Sequence, residues 1–418
     1  MTAGDSIASF LTTVVFVLGA LVLSKRLGVS AFWPIFAGFV LSVSGVLRSA
    51  PQSPLYTGIG DGRRYLDWAT QISTGFRTGD LDPQLLAWPS KSFFPILVAG
   101  GQLVFGDLYF AIILGNASLL GLSLLVLQKS ASLIDRATTA RSVAFLYLSN
   151  PAIHFWGPSL LRESIFWFGI SLTILGLARL KTSPSLASTV WISVGVVVQL
   201  LVRPNFGVVS GYLFVGMAVF IGVVYSGWPR VARILALGAS GLALFWSFPA
   251  AFGWFSIPEN PTQRIAQKFT SLGKDSVTTS VGLDNQSFAE PPASALGLLV
   301  GGLKNFLNAI GGPTSGQINS EAVWILIVAS QIWFLAVLGM HLAQYFVGRA
   351  NFEISWPMTV GSAALIFAIA IVITNFGALA RFRAGAEILL IPLAAGCVTK
   401  IDQILTSRKP AGPVGNLG

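Results

Sequence analysis

The stretch from Gly157 to Leu180, "GPSLLRESIFWFGISLTILGLARL", decides the fold. Arg162 and Glu163 open its apolar part, Arg179 and, just beyond the stretch, Lys181 close it, and nothing between Ser164 and Ala178 is charged. An uninterrupted apolar run of about 17–25 residues matches the hydrocarbon thickness of a bilayer. Runs of this kind are read at residues 7–24, 30–47, 107–128, 142–157, 163–180, 186–203, 206–226, 231–252, 322–346, 356–375 and 384–399. The segment 92–106, "SFFPILVAGGQLVFG", is apolar but short and reads as a helix at the interface.

The whole chain of 418 residues is 54% hydrophobic and 10% charged, with a mean hydropathy of +0.74. Soluble domains carry about 25% charged residues. The expectation is an all-α polytopic membrane protein with about eleven transmembrane helices, forming one integral membrane domain over residues 1–418. A barrel would show short alternating segments instead. Its partner is the lipid bilayer. The net charge of +10 points to basic cytoplasmic loops rather than to nucleic acid. One cysteine, Cys397, excludes an intrachain disulfide and a cysteine metal cage. The first apolar run has neither a basic stretch before it nor a small-residue cleavage site after it, and is expected to be a retained helix.

Lys and Arg collect on cytoplasmic loops. Lys25, Arg26, Lys129, Arg136, Arg141, Arg179, Lys181, Arg230, Arg233, Arg349, Lys400, Arg408 and Lys409 fall on one face if residues 92–106 do not cross. That face is expected to be cytoplasmic, with a disordered tail over 403–418. The other face then holds two large loops, 48–106 and 253–321, and long ordered loops are usually functional. In the first, "YTGIGDGRRYLDWATQISTGF" packs Asp61, Arg63, Arg64 and Asp67 into seven residues and reads as a helix along the membrane surface. In the second, "GLLVGGLKNFLNAIGG" at 297–312 reads as an outer surface or re-entrant helix, not a phosphate loop.

Several charges break the positive-inside pattern. Arg162, Arg203, Arg381 and Arg383, with Arg63, Arg64 and Lys91, fall on the outer face from segments distant in sequence. Ionisable groups at membrane depth are costly and mark pairs or functional pathways. An arginine fork suits phosphate oxygens. Blander readings exist for each one. Arg162 and Glu163 can pair with each other, Arg203 can snorkel to headgroups, and Asp61 can be a turn acid. His154 and His341 read as core or interface groups without a shared metal.

The ordered set of motifs resembles the GT-C glycosyltransferases, multi-spanning enzymes that use polyprenyl-phosphate sugar donors. "GDGRRYLDWA" resembles their first-loop acidic motif, and "PSKSFFPILVAGGQLVFGD" the lysine-and-proline stretch that follows. "LSNPAIHFWGPSLLRESIFWF" resembles their asparagine-proline segment with a polar-acidic pair opening a helix. "LLVRPNF" resembles their arginine-proline helix end, and "NFGALARFRAGAEILLIPLAAG" their last-helix arginine pair with its acid. The order holds over roughly residues 55–400. The size and short tail also resemble polysaccharide polymerases.

The resemblance implies an inverting transfer of a sugar from a polyprenyl-phosphate or diphosphate donor to a lipid-linked glycan, polysaccharide or protein acceptor, at the outer face of a bacterial cytoplasmic membrane. It implies two catalytic residues, Asp61 as general base and Glu163 orienting an arginine or the acceptor. Arg63, Arg64, Tyr65, Lys91, Arg162, Arg203, Arg381, Arg383 and Glu387 become substrate- or phosphate-binding residues. No cofactor is implied. A divalent metal is not indicated, since Asp61 stands beside Gly62 where some relatives carry two adjacent acids. The rival readings are a transporter or flippase of a lipid-linked saccharide, and a non-catalytic scaffold. The scaffold leaves the arginine set unexplained. The transporter predicts polar residues through the bilayer centre, whereas these charges gather at one face.

Overall fold

The computed structural model describes residues 2–49, 61–86, 93–224, 300, 303, 306–307, 321–346, 352–372 and 376–407. Every regular element among them is helical. The helices are α1 (Ala3–Leu27), α2 (Phe32–Ser49), α3 (Asp61–Thr78), α4 (Phe93–Phe105), α5 (Tyr109–Ile134), α6 (Ala140–Leu148), α7 (Pro151–Trp156), α8 (Glu163–Thr182), α9 (Leu186–Val202), α10 (Pro204–Val224), α11 (Glu321–Phe346), α12 (Phe352–Val372) and α13 (Phe376–Ser407). A 3-10 turn at Pro83–Leu86 follows α3.

Among the described residues, six helices are long and apolar enough to cross a membrane: α1, α2, α5, α8, α11 and α13. Shorter apolar helical stretches lie in α4, α9, α10 and α12. The expected run at 231–252 and most of the second large loop lie outside the described residues. Within 297–312, Val300, Leu303, Phe306 and Leu307 are described and helical.

The run at 142–157 does not form one helix. It breaks into α6, of nine residues, and α7, of six. Pro151 has no N–H to return to the preceding turn, and its ring clashes there. Backbone groups opened inside a bilayer must find partners within the protein. Here they do. Asn150 Oδ1 accepts from the Ala152 N–H at 2.9 Å, capping the new helix. His154 Nε2 donates to the Leu148 carbonyl at 2.6 Å, which leaves Nδ1 to accept from Ser44 Oγ at 2.9 Å. Trp333 of α11 donates to Ser149 Oγ at 2.9 Å.

Contacts along the helices fix their directions. Ala8 packs on Leu108 and Ala111, and Leu27 on Leu125 and Val126, so α1 and α5 run parallel. Ser164 bonds Asn116 while Leu172 and Leu175 meet Leu125, so α8 runs with them. In α13, Arg381 reaches Glu163 and Thr399 reaches Ser142, giving the same direction. The starts of α1, α5, α8 and α13 therefore share one end of the bundle with the C-terminal ends of α2 and α9. The opposite end carries Lys25, Arg26, Lys129, Arg136, Arg141, Arg179, Lys181 and Lys400. The basic residues expected to share one face do so wherever they are described.

Helices in a bilayer gain little from apolar burial and pack where small residues let backbones approach. Between α8 and α9 this happens at Gly169 and Gly195. A Cβ on Gly195 would overlap Thr173 Oγ1 and come within 2.5 Å of the Gly169 carbonyl. Gln199 of α9 then donates to Thr173 Oγ1 at 3.1 Å across the seam.

α5 has no side-chain cap of its own, since Leu108 stands at its N-cap. Asp5 of α1 supplies one from a distance. Its carboxylate accepts from the N–H groups of Phe110 at 3.2 Å and Ala111 at 2.9 Å. Helix N-termini leave N–H groups unserved and favour negative charge. Asp5→Ala is expected to cost about 1–2 kcal/mol, and Asp5→Asn much less, because asparagine caps nearly as well. Unfolding of the two variants in detergent checks this ordering.

Candidate functional site

The site is built from the loop at residues 157–162, between α7 and α8. One amide holds that loop. Asn116, alone in the apolar middle of α5, donates through Nδ2 to the carbonyls of Ser159 and Leu161, the latter at 2.9 Å, and its Oδ1 accepts from Ser164 Oγ. Gly45 of α2 lies against the Pro158 carbonyl, and Gly62 of α3 lies against Leu160. Three helices thus pin the loop and fix where α8 begins.

α8 begins at Glu163, which is only 1% exposed. Its Oε1 receives Arg203 and, at 2.7 Å, Nε of Arg381. Arg203 stands at the end of α9, where Pro204 starts the next helix. Its guanidinium packs 4.2 Å from the ring centre of Phe382, and Arg381 approaches the same ring at 5.1 Å. Arg162 donates to the Val202 carbonyl at 2.8 Å and lies 5.5 Å over the Tyr65 ring. Tyr65 is buried on α3 and meets Phe94 of α4 edge-on.

Four segments distant in sequence therefore meet: α3 through Tyr65, α8 through Arg162 and Glu163, the α9–α10 junction through Arg203, and α13 through Arg381 and Phe382. Three guanidiniums surround one carboxylate among the described side chains. Taking charges out of water is expensive unless they are paired. A buried group of this sign can hold an anion, because each guanidinium carries five N–H donors and a bond to Glu163 uses only part of that fork. Comparison with protein-family models, curated proteins and solved structures gave no match. The chemistry of these side chains is accordingly the ground for a functional reading.

The other candidate residues are distributed as follows. Asp61 is the first residue of α3, one turn before Tyr65; its side chain lies outside the described residues, as does Lys91. Arg63 and Arg64 lie on the exposed flank of α3, away from the buried charges. The helical period explains this: the buried face of α3 is Tyr65, Ala69, Ile72 and Ser73, and residues 63 and 64 point elsewhere.

Arg383 and Glu387 form a second, separate cluster one turn deeper. Arg383 Nε bonds Glu387 Oε1 at 2.7 Å, its two terminal nitrogens reach Gln331 and Ser330 of α11, the latter at 3.1 Å, and Glu387 Oε2 accepts from Asn150 at 2.8 Å. Both carboxylate oxygens and all three guanidinium nitrogens are engaged by protein. The pair thus acts as a clasp joining α11, α13 and the α6–α7 break. Removing either partner alone is expected to destabilise more than replacing both with apolar residues, with a coupling of about 1–3 kcal/mol in a double-mutant cycle on Arg383→Met and Glu387→Leu.

Sequence reasoning passed over Arg48, Phe382, Asn116 and Gln331. Arg48, at the end of α2, donates to the Phe155 carbonyl, stacks 4.1 Å over the Phe155 ring and lies within electrostatic reach of Arg381 and Glu163. Lone amides within apolar runs, such as Asn116 and Gln331, were the available sign. In a bilayer such groups seek a partner on another helix.

Proposed function

We propose that this chain is a membrane glycosyltransferase of the GT-C type, which moves a sugar from a polyprenyl-phosphate or diphosphate donor to a glycan or protein acceptor. The observation that carries the reading is the gathering of Arg162, Arg203, Arg381 and Tyr65 around Glu163, at the bundle end opposite the basic one. By the positive-inside rule the basic end is cytoplasmic, which puts the cluster on the outer face. With the apolar run at 231–252, the chain crosses about eleven times.

In this reading Asp61 takes the proton from the acceptor hydroxyl while its oxygen attacks the anomeric carbon. The bond from that carbon to the lipid phosphate oxygen breaks on the opposite face, so the centre inverts. The departing phosphate gains negative charge, and Arg203 and Arg381, fixed in a poorly hydrated site, stabilise it. The test is turnover of radiolabelled polyprenyl-phosphate and polyprenyl-diphosphate sugars by the protein in nanodiscs. Donor-dependent release of the lipid phosphate, abolished in Asp61→Asn and Arg381→Ala, is expected. Saturable binding without turnover of any donor would instead favour a carrier of lipid-linked saccharide.

A further inference from the structure

The polar atoms at the start of α8 divide into two sets. Glu163 Oε1 serves Arg203 and Arg381, but Glu163 Oε2 has no hydrogen-bond partner among the described residues, although the residue is only 1% exposed. The Nε–H of Arg162, a residue 5% exposed, has none among the described residues either, although its terminal nitrogen is held by the Val202 carbonyl. One acceptor and one donor, on adjacent residues, are thus buried and unserved. Leaving such groups unpaired is costly, more so when they are charged.

We propose that Glu163 Oε2 and Arg162 Nε together bind one hydroxyl of the donor's sugar, the hydroxyl on C2. This rests on the glycosyl-transfer reading above. The chemistry of the two atoms selects the ligand group. A metal ion would meet three guanidiniums and be repelled. A phosphate oxygen would suit Arg162 but be repelled by the carboxylate. A hydroxyl gives its proton to Glu163 Oε2 and offers a lone pair to Arg162 Nε–H, so one neutral group satisfies both. The position follows from the shared carboxylate. Oε1 is tied to the arginines that face the phosphate, and Oε2 shares its carbon, so the hydroxyl lies beside the phosphate. The sugar hydroxyl nearest a phosphate on C1 is the one on C2. Glu163 thus joins the two halves of the donor, holding the phosphate-binding arginines with one oxygen and reading the sugar with the other.

The variant that separates these tasks is Arg162→Lys. It keeps the charge and a donor for the Val202 carbonyl but removes Nε–H. The protein in nanodiscs is titrated with farnesyl phosphate, and with farnesyl phosphate carrying glucose, mannose or arabinose, each also in 2-deoxy form and the hexoses in 2-acetamido form. The wild type is expected to bind at least one sugar probe about tenfold tighter than its 2-deoxy form, the loss for one hydrogen bond to a charged group. In Arg162→Lys that ratio falls below about twofold; because it compares two sugar probes on the same variant, any change in phosphate affinity cancels. An undiminished ratio in the variant, or no ratio in the wild type, overturns the proposal. So does tighter binding of a 2-acetamido probe that Arg162→Lys abolishes, which would assign the pair to an amide. Failure of the wild type to bind farnesyl phosphate at all would overturn the functional reading and this inference together; bound farnesyl phosphate without sugar discrimination overturns this inference alone.

Discussion

Replacing Glu163 with alanine is expected to lower the stability of the folded protein by about 3–5 kcal/mol, the cost of breaking a buried ion pair from one side. Arg203 and Arg381 both direct a nitrogen at this carboxylate, and Arg162 is its neighbour in sequence. Without it, guanidiniums from the α9–α10 junction and from α13 face one another beside an apolar core. The penalty is therefore repulsion and unpaired burial rather than a lost attraction, and it should fall on helices that Glu163 holds in place. Glu163→Gln, which keeps the shape but not the charge, should lie between alanine and wild type. Arg64→Ala, on the exposed flank of α3, serves as the control and should stay within about 0.5 kcal/mol. Unfolding of the three variants in the same detergent tests the order. An alanine variant as stable as the control would mean that the charges are not shut away as described.

Helical class and membrane character were legible in the sequence because a bilayer imposes a length on every crossing helix, and that length is written as apolar runs. The run at 142–157 forms two helices instead of one for a local reason. Its composition is that of a crossing helix, but one Asn150–Pro151 step divides it, and the break is held by His154 from within the run and by Trp333 and Glu387 from other helices. Arg162, Arg203 and Arg381 stood out as cations on the face where such residues are scarce, and the structure brings them to one carboxylate. Arg383 stood out by the same rule yet belongs to a clasp, because its partners Gln331 and Ser330 lie some fifty residues away in another helix. Position along the chain marks a charge as unusual; only the neighbours it meets separate a ligand group from a structural one. Arg63 and Arg64 show the converse, since charges within one motif can lie on the exposed face of their helix, apart from the buried cluster.

Asp61→Asn is expected to reduce sugar transfer by about 10²–10⁴-fold, the usual contribution of a general base, while leaving the binding of farnesyl phosphate within about twofold. Asparagine matches aspartate in size and keeps an acceptor oxygen, so it can hold the acceptor hydroxyl, but it cannot take the proton as the oxygen attacks. The loss should therefore appear in turnover under saturating donor. Arg381→Ala should behave differently. In the proposed mechanism it removes a group that meets the phosphate both before and during bond breaking, so donor affinity and turnover should fall together, turnover by about 10²–10³-fold if the charge is met chiefly as it develops. The contrast tests the division of labour itself: α3 would supply the base, and α8, the α9–α10 junction and α13 would supply the anion site. If Asp61→Asn retains full transfer, α3 contributes only Tyr65 and packing, and the base must be sought in the second large loop. If Asp61→Asn loses farnesyl phosphate binding as well, residue 61 belongs with the arginines as part of their charge balance rather than to the proton transfer.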